Sequence, residues 1–285
     1  MQETLVELPY DLNALTRSLV TEDDQPVDNL FSAKQRRLLV EPLYSSWQPP
    51  ALEDAAESAA PRQFLADSDV GIFSSPHQPP VAPDMFLSFD VQANADYFAN
   101  EHRAYFVWEF EKFPEIVAEV VSNRKGKEMD AKMQRYARMG ILYYVVFDPF
   151  TVLSDEKLRV HELTLGGRRY RRRPDFELPE VGLTLQLWRG EFEDVEAEWL
   201  RWCDADGYLI PTGAERANTE AKRANTEAKR ANTEAERANT EAERANTEAE
   251  RANTEAERAN TEAAARRWAE AELETLRAEL QRLKS

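Results

Sequence analysis

Residues 116–149 constrain the fold of this chain more than any other stretch, because two short apolar runs there enclose a charged segment. The first run, IVAEVVS, is rich in β-branched residues and predicts a strand. The segment after Ser122 takes on helical spacing, and Gly140 ends it before the second apolar run, ILYYVVFDP. The stretch therefore predicts a strand, a helix and a second, central strand.

Glu119 is the unusual residue of the first strand. The alternation of a strand places it on one face with Val117 and Val121. An ionised carboxylate on an otherwise apolar face costs several kcal/mol or acquires a raised pKa, unless a cation or hydrogen-bond donors compensate. A bound metal ion would supply such a cation.

Lys132 is the unusual residue of the helix. Met129, Met133 and Tyr136 follow a spacing of i, i+4, i+7, and Lys132 stands at i+3 of the same series. It therefore lies on the inward stripe and not on the solvated face. One carboxylate and one lysine are predicted to point toward a common place.

Composition limits the location of the protein. About 214 residues have ordinary globular complexity, and 42% of the chain is hydrophobic, which is enough for a core. Cys203 is the only cysteine, so no intramolecular disulfide can form. No signal segment opens the chain and no apolar run approaches the ~20 residues that cross a bilayer. We expect a soluble, cytoplasmic protein without membrane association.

The net charge of −17 lies mostly outside the repetitive tail. From Glu215 onward there are 14 basic and 16 acidic residues, which leaves 22 and 37 for residues 1–214, a charge of −15. Such a balance disfavours general attraction to nucleic acid. Two basic groups oppose the trend and are either solvated faces or binding surfaces: Arg124, Lys125, Lys127, Lys132, Arg135 and Arg138, then Arg168, Arg169, Arg171, Arg172 and Arg173.

The N-terminal part, residues 1–60, contains one predicted helix. The helix is predicted to begin at a capping Asp28 or Ser32 and to be stopped by Pro42. Its inward side chains are predicted to be those of Leu30, Phe31, Leu38 and Leu39. Short extended pieces follow at QFLA and VGIF, then a proline-rich loop that contains His77. No second histidine or cysteine stands at metal-ligand spacing from His77, so a zinc site is not indicated.

The remaining elements are predicted from alternation and turn residues. MFLSFDV alternates as a half-buried strand with Asp84 at its mouth, and AYFVWEF is a second extended run. LRVHEL and RRYRRR predict a hairpin joined by Gly166 and Gly167, and LTLQLWR closes the sheet. VEAEWLRWCD predicts an amphipathic helix, with Val195, Trp199 and Trp202 on one side.

Together these motifs resemble a known family. Proline and aspartate before a strand, then EVVS, then a helix with a lysine four residues before a tyrosine, then YYVVFDP, are similar to the Uma-type restriction endonucleases of the PD-(D/E)XK superfamily. The resemblance covers roughly residues 29–187. It implies an α/β fold, with a restriction-endonuclease-like mixed sheet flanked by helices, and Mg²⁺-dependent cleavage of DNA, with Mn²⁺ as a possible substitute.

The resemblance assigns roles to three residues. Asp84 matches the family aspartate and Glu119 the acidic residue of the (D/E)XK element, and both would be metal ligands. Lys132 would be the catalytic lysine, moved to the following helix, because Val121 occupies the usual position two residues after the acid. Glu41 is left open as a further acidic ligand. Oxygen ligands of this type suit Mg²⁺.

The tail has a strict seven-residue period, with seven copies of ERANTEA or KRANTEA in residues 215–263. Its heptad stripe consists of alanine, which buries little surface. A leucine seam follows, formed by Leu273, Leu276, Leu280 and Leu283. If continuous, the helix would extend on the order of 105 Å. It is either a coiled-coil extension that makes the protein a homo-oligomer or a solvated spacer.

The sequence thus predicts four segments: residues 1–60 with a helix, a nuclease-like core at 61–210, a heptad-repeat spacer at 211–263 and a zipper-like end at 264–285. Two functions remain open. One is a metal-dependent DNA endonuclease with Asp84, Glu119 and Lys132 as catalytic residues. The other is a catalytically inactive nuclease fold that serves as a coiled-coil interaction module.

Overall fold

The computed structural model describes residues 14, 29–51, 62–93, 96, 98–99, 102–122, 126–164, 166 and 168–283. Four residues named above, Asp28, Arg124, Lys125 and Gly167, lie outside the described residues, as do the side chains of Lys127 and Leu283. The chain divides into two compact units, Met1–Ala217 and Asn218–Ser285.

The first described helix, α1, spans Leu30–Ser46. Its N-cap is Asn29, whose side chain accepts a hydrogen bond from the Ser32 backbone N–H, so the predicted cap at Ser32 is wrong. Pro42 lies inside the helix and does not stop it. Leu43 and Trp47, just beyond the proline, are buried, and this packing offsets the hydrogen bond that proline removes. Leu30 is exposed and not inward.

A six-stranded mixed sheet forms the centre of the first unit. Its strands are β1 (Phe64–Asp67), β3 (Met85–Phe89), β5 (Ile116–Val120), β6 (Tyr143–Phe147), β7 (Leu158–Leu163) and β8 (Tyr170–Arg172), in spatial order β1-β3-β5-β6-β7-β8. The central pair, β5 and β6, is parallel and is connected by helix α3 (Gly126–Met139). All other neighbours pair antiparallel, including the predicted β7–β8 hairpin. The strand–helix–strand prediction is confirmed.

The two faces of this sheet pack against different partners. One face, with Met85, Ile116 and Val145, packs against α1 and a second sheet. The opposite face carries Val117 and Tyr144 and packs against α3. Because both faces are covered, every residue of β3 is buried, and the predicted half-exposed alternation of this strand is wrong.

A second sheet has three strands, β9 (Glu177–Leu178), β10 (Leu183–Phe192) and β11 (Val195–Asp204), with a 3₁₀ turn at Pro179–Val181. LTLQLWR belongs to this second sheet. The prediction that it closes the first sheet is therefore wrong. VEAEWLRWCD is strand β11 and not a helix. Its ten residues pair in continuous antiparallel register with β10, and this long ladder outweighs the local helical spacing.

The predicted extended run AYFVWEF is divided between two elements. Tyr105–Phe106 forms strand β4, which pairs in parallel with β2 (Ile72–Phe73). Val107–Phe110 forms the short helix α2, so that part of the prediction is wrong.

The long C-terminal helix, α4, spans Gly213–Leu283 and includes all seven repeats. It begins with a capping box: Thr212 Oγ1 accepts from the Glu215 N–H, and Glu215 Oε2 accepts from the Thr212 N–H. In the repeats, threonine hydroxyls such as that of Thr226 donate to the carbonyl four residues earlier. None of the helices in the described ranges combines the length and apolar character that a membrane crossing requires.

Candidate active site

Glu119 is a buried acid on the face of β5 that packs against α3. It shares this face with Val117 and Val121, as the alternation predicted, and only 3% of the residue is exposed. Strand pairing with β6 fixes the backbone at Glu119 opposite Val146. The carboxylate is therefore held at a defined position and needs hydrogen-bond donors within the protein.

Helix α3 supplies both donors to Glu119. Lys132 Nζ lies 2.9 Å from Glu119 Oε2, and the Tyr136 hydroxyl donates to Glu119 Oε1 across 2.7 Å. The two donors stand four residues apart, so they occupy adjacent turns of one helix face. Lys132 also donates to the Ala82 carbonyl at 3.2 Å. The predicted meeting of Glu119 and Lys132 is thus observed.

Asp84 lies at the mouth of β3, as expected, directly across from Glu119. Met85 pairs with Ala118 in the antiparallel β3–β5 ladder, and one further step along this register brings Asp84 opposite Glu119. Asp84 Oδ2 accepts the Val120 backbone N–H at 2.7 Å. The first carboxylate is thereby tied to the strand that carries the second.

Arg36 of α1 is a site neighbour that the sequence reasoning missed. Its guanidinium lies 2.7 Å from Asp84 Oδ1 and 2.9 Å from Asp69 Oδ1. Arg36 is 5% exposed, so its charge depends on these carboxylates. Its spacing from Leu39 and Leu43, i, i+3, i+7, was the available signal, because it places Arg36 on the inward stripe.

Burial raises the pKa of Glu119 to about 7, and the negative charge of Asp84 acts in the same direction. The positive charge of Lys132 opposes this shift, as do the hydrogen bonds from Lys132 and Tyr136. Burial also raises the pKa of Tyr136 well above its ordinary value. Tyr136 is therefore a neutral donor, and Glu119 is close to its titration midpoint at neutral pH.

The donor set of Asp84 and Glu119 fits a magnesium ion. Each of the four carboxylate oxygens accepts one hydrogen bond within the protein, which leaves lone pairs for further ligation. In the part of the chain that the structure describes, no group of three His, Cys, Asp or Glu side chains forms a metal-ligand set. Mg²⁺ commonly uses one or two carboxylates together with waters and substrate phosphate, so two carboxylates suffice.

Two other residues considered from the sequence lie elsewhere. Glu41 Oε1 accepts the Gly213 N–H at 2.9 Å, so this carboxylate caps the beginning of α4 and contacts neither Asp84 nor Glu119. His77 is exposed in the proline-rich loop.

A family model matches residues 50–193, just over half of the chain. This family, Uma2, carries the description "Putative restriction endonuclease", and the matched region contains Asp84, Glu119 and Lys132. No curated protein and no solved structure matches the chain. The mixed sheet with flanking helices agrees with a restriction-endonuclease-like fold. The chain therefore belongs to the Uma2 family.

Proposed function

We propose that this protein is a Mg²⁺-dependent endonuclease that hydrolyses phosphodiester bonds of DNA. The observation that carries the proposal is the approach of Lys132 to the Glu119 carboxylate, with Asp84 opposite Glu119 across the β3–β5 ladder. A lysine and two acids of this kind, contributed by three separate elements, are the residue types that phosphoryl transfer requires.

The proposed roles follow from the contacts. Asp84 and Glu119 would hold Mg²⁺, which when bound activates a water molecule and offsets charge on the phosphate. Lys132 would place a positive charge beside the phosphate oxygens and is kept in position by Glu119. Tyr136 and Arg36 would act as positioning residues, each holding one carboxylate through a hydrogen bond.

The test is cleavage of supercoiled plasmid with Mg²⁺, with Mn²⁺ and with EDTA. We expect Asp84→Asn, Glu119→Gln and Lys132→Met each to lower the rate by at least ~100-fold. Matched controls are Glu111→Gln, at an exposed position, and Lys157→Met, at a partly exposed one, which remove the same charges away from the site. Full activity in Asp84→Asn or Glu119→Gln would refute the assignment of the two metal ligands.

A second candidate function is an inactive nuclease fold that acts as an interaction module. The Arg36–Asp84 ion pair favours it, because the guanidinium occupies one oxygen of an expected metal ligand. Calorimetric titration with Mg²⁺ separates the two candidates. Binding that Asp84→Asn abolishes supports the nuclease, whereas a wild-type protein that binds no Mg²⁺ and cuts no DNA supports the interaction module.

We also propose that α4 makes the protein a homo-oligomer. Leu273, Leu276 and Leu280 are each more than half exposed in the single chain. Apolar side chains repeated along one seam of a helix are stabilised when a second helix covers them. Pairing would give the nuclease two active sites, which suits cleavage of both strands of a duplex.

A further inference from the structure

The two basic groups of the sequence meet at one surface pocket. Arg138, near the end of α3, lines this pocket together with Arg168 and Arg169, which precede β8. The pocket has a volume of about 530 Å³ and is also lined by Tyr170. These four residues define the arginine pocket. Residues 30 positions apart in sequence thus form one positively charged surface on a unit that is acidic overall.

The three arginines keep their charges available. All three are exposed, and no carboxylate among the described residues lies within ion-pair distance of them. Other arginines of the same hairpin differ: Arg172 pairs with Glu156, and Arg173 pairs with Glu162 and Asp175. Three guanidinium groups without a carboxylate partner in the described ranges, placed around one concavity, are suited to an anion, because guanidinium groups bind phosphate through paired donors.

The floor of the pocket is connected to the candidate active site by packed rings. The Tyr170 hydroxyl donates to the Ile141 carbonyl at 2.8 Å, which fixes its ring. The Tyr170 and Tyr144 ring centroids lie 5.7 Å apart, and those of Tyr144 and Tyr136 lie 5.5 Å apart. Tyr136 in turn donates to Glu119. The pocket therefore has a fixed position relative to the two carboxylates.

Helix α3 also links the pocket to Lys132. Arg138 follows Lys132 by six residues, a rise of about 9 Å along the helix axis. Six residues also turn the helix by about 240°, so the two side chains leave one rigid element in different directions.

We propose that the arginine pocket binds a backbone phosphate of the DNA substrate, at a fixed distance from the bond that is cut. The inference rests on the proposed nuclease function and adds a positioning site to it. Contacts to backbone phosphate carry no sequence information, so the pocket would hold the strand in register without selecting a sequence.

The test measures binding of a fluorescein-labelled DNA duplex to the full chain by fluorescence anisotropy, without divalent metal. We expect Arg168→Ala with Arg169→Ala to weaken binding about tenfold and to reduce the salt slope of log K by about 1, since one phosphate contact is lost. Arg138→Ala should act in the same direction. The matched control, Arg189→Ala with Arg223→Ala, removes the same charge elsewhere and should leave the slope unchanged. Arg168→Lys with Arg169→Lys should restore the slope.

The outcomes separate this inference from the proposed function. In the absence of metal, Glu119→Gln should bind DNA like the wild type, while its cleavage rate with Mg²⁺ should fall at least ~100-fold. If the pocket variants bind and cut DNA like the wild type, the phosphate site at the pocket is overturned and the nuclease proposal stands. If the wild type cuts no DNA but the pocket variants bind DNA more weakly than the wild type, the nuclease proposal is overturned and the pocket stands as a phosphate-binding site. Equal losses of DNA affinity in the pocket and control variants would show that binding depends on net charge alone, which would overturn the pocket. Displacement of the probe by inorganic phosphate or by an RNA duplex more readily than by unlabelled DNA would also overturn the proposal.

Discussion

The Arg36 guanidinium lies 2.7 Å from the Asp84 carboxylate, although 48 residues separate the two along the chain. The contact joins helix α1 to the mouth of β3, and the same carboxylate accepts the Val120 N–H of β5. Asp84 is therefore a structural link as well as a candidate metal ligand. Replacing it by alanine would leave the buried charge of Arg36 only partly compensated, so asparagine is the better substitution for tests of activity.

We expect a double-mutant cycle to show that Arg36 and Asp84 depend on each other for stability. Arg36→Met and Asp84→Asn should each destabilise the protein by roughly 2 kcal/mol, because each removes the nearest opposite charge of a largely buried group, and Asp69 compensates Arg36 only in part. The double variant should lose less than the sum, with a coupling of about 1 to 2 kcal/mol. Denaturant unfolding of the four proteins measures these free energies.

The matched control for this cycle is the ion pair of Arg62 and Asp90. Its shortest distance is the same, 2.7 Å between Arg62 Nη2 and Asp90 Oδ2, and Arg62 Nε adds a second hydrogen bond, but the Asp90 side chain is 46% exposed. Its coupling should therefore stay below about 1 kcal/mol. Equal coupling energies for the two pairs would show that the burial of Arg36 does not strengthen its pairing with Asp84.

The raised pKa of Glu119 predicts a stability that falls as pH rises. The ordinary value is 4.5 and the folded value is about 7, so between these values the folded protein binds more protons than the unfolded chain. The stabilisation is fully present below pH 4.5 and is lost as pH rises through 7. Relative to Glu119→Gln, the wild type should lose about 3 kcal/mol of unfolding free energy across this window.

Unfolding of both proteins at acidic and at mildly alkaline pH measures this difference, because all other titrating groups are common to the two. Added Mg²⁺ should reduce the loss in the wild type and leave Glu119→Gln unaffected, since a bound cation favours the ionised carboxylate. Parallel pH profiles for the two proteins would show that Glu119 titrates near its ordinary pKa.

Part of this site follows from sequence periodicity alone. Glu119 and Lys132 could be predicted to face each other, because the strand period fixes the face of the first and the helix period fixes that of the second. Arg36 could not be assigned as the partner of Asp84, since its inward position shows only that it needs some acid. Pairing residues 48 positions apart requires the tertiary arrangement of α1 and β3.

Strand β11 shows where local patterns mislead. Val195, Trp199 and Trp202 have helical spacing, but the ladder with β10 and burial on both faces from Trp199 to Cys203 determine the structure. The turn before it consists of Glu193 and Asp194, both with positive φ, as in a two-residue hairpin turn. Glu193 is not a residue that usually signals such a turn. Its carboxylate is held by Arg37 and Lys34, contacts that the local sequence does not indicate.

Removing the hydroxyl of Tyr136 should shift the pH dependence of cleavage. This hydroxyl donates to Glu119 Oε1 and lowers the pKa of that carboxyl. In Tyr136→Phe the pKa should rise further, so at neutral pH less Glu119 is ionised and the cleavage rate falls, by up to about tenfold. The rate should recover at alkaline pH, which a purely structural defect would not show.

Tyr105→Phe is the control for this variant, because it also removes a buried hydroxyl that is hydrogen-bonded, to Ser88 and the Lys112 carbonyl, and does not contact Glu119. Its pH profile should coincide with that of the wild type. A Tyr136→Phe profile that is lowered equally at every pH would contradict the proposed effect on Glu119.

The last prediction concerns self-association through the end of α4. Leu273, Leu276 and Leu280 expose 51%, 55% and 56% of their surface, whereas the repeats offer alanine alone as an apolar seam. At about 0.8 kcal/mol per buried CH₂, a leucine seam contributes far more to association than an alanine seam. Residues 264–285 should therefore drive assembly, with the repeats acting as a spacer.

Solution mass, measured by light scattering, tests this on four forms: full length, a truncation after Ala263, a deletion of the repeats, and Leu276→Asn with Leu280→Asn. The truncation and the asparagine pair should be monomeric, because asparagine leaves unpaired polar groups in the seam. The repeat deletion should assemble like full length. Assembly of the truncation and of the asparagine pair would refute the leucine seam, and a loss of assembly confined to the repeat deletion would transfer the role to the alanine stripe.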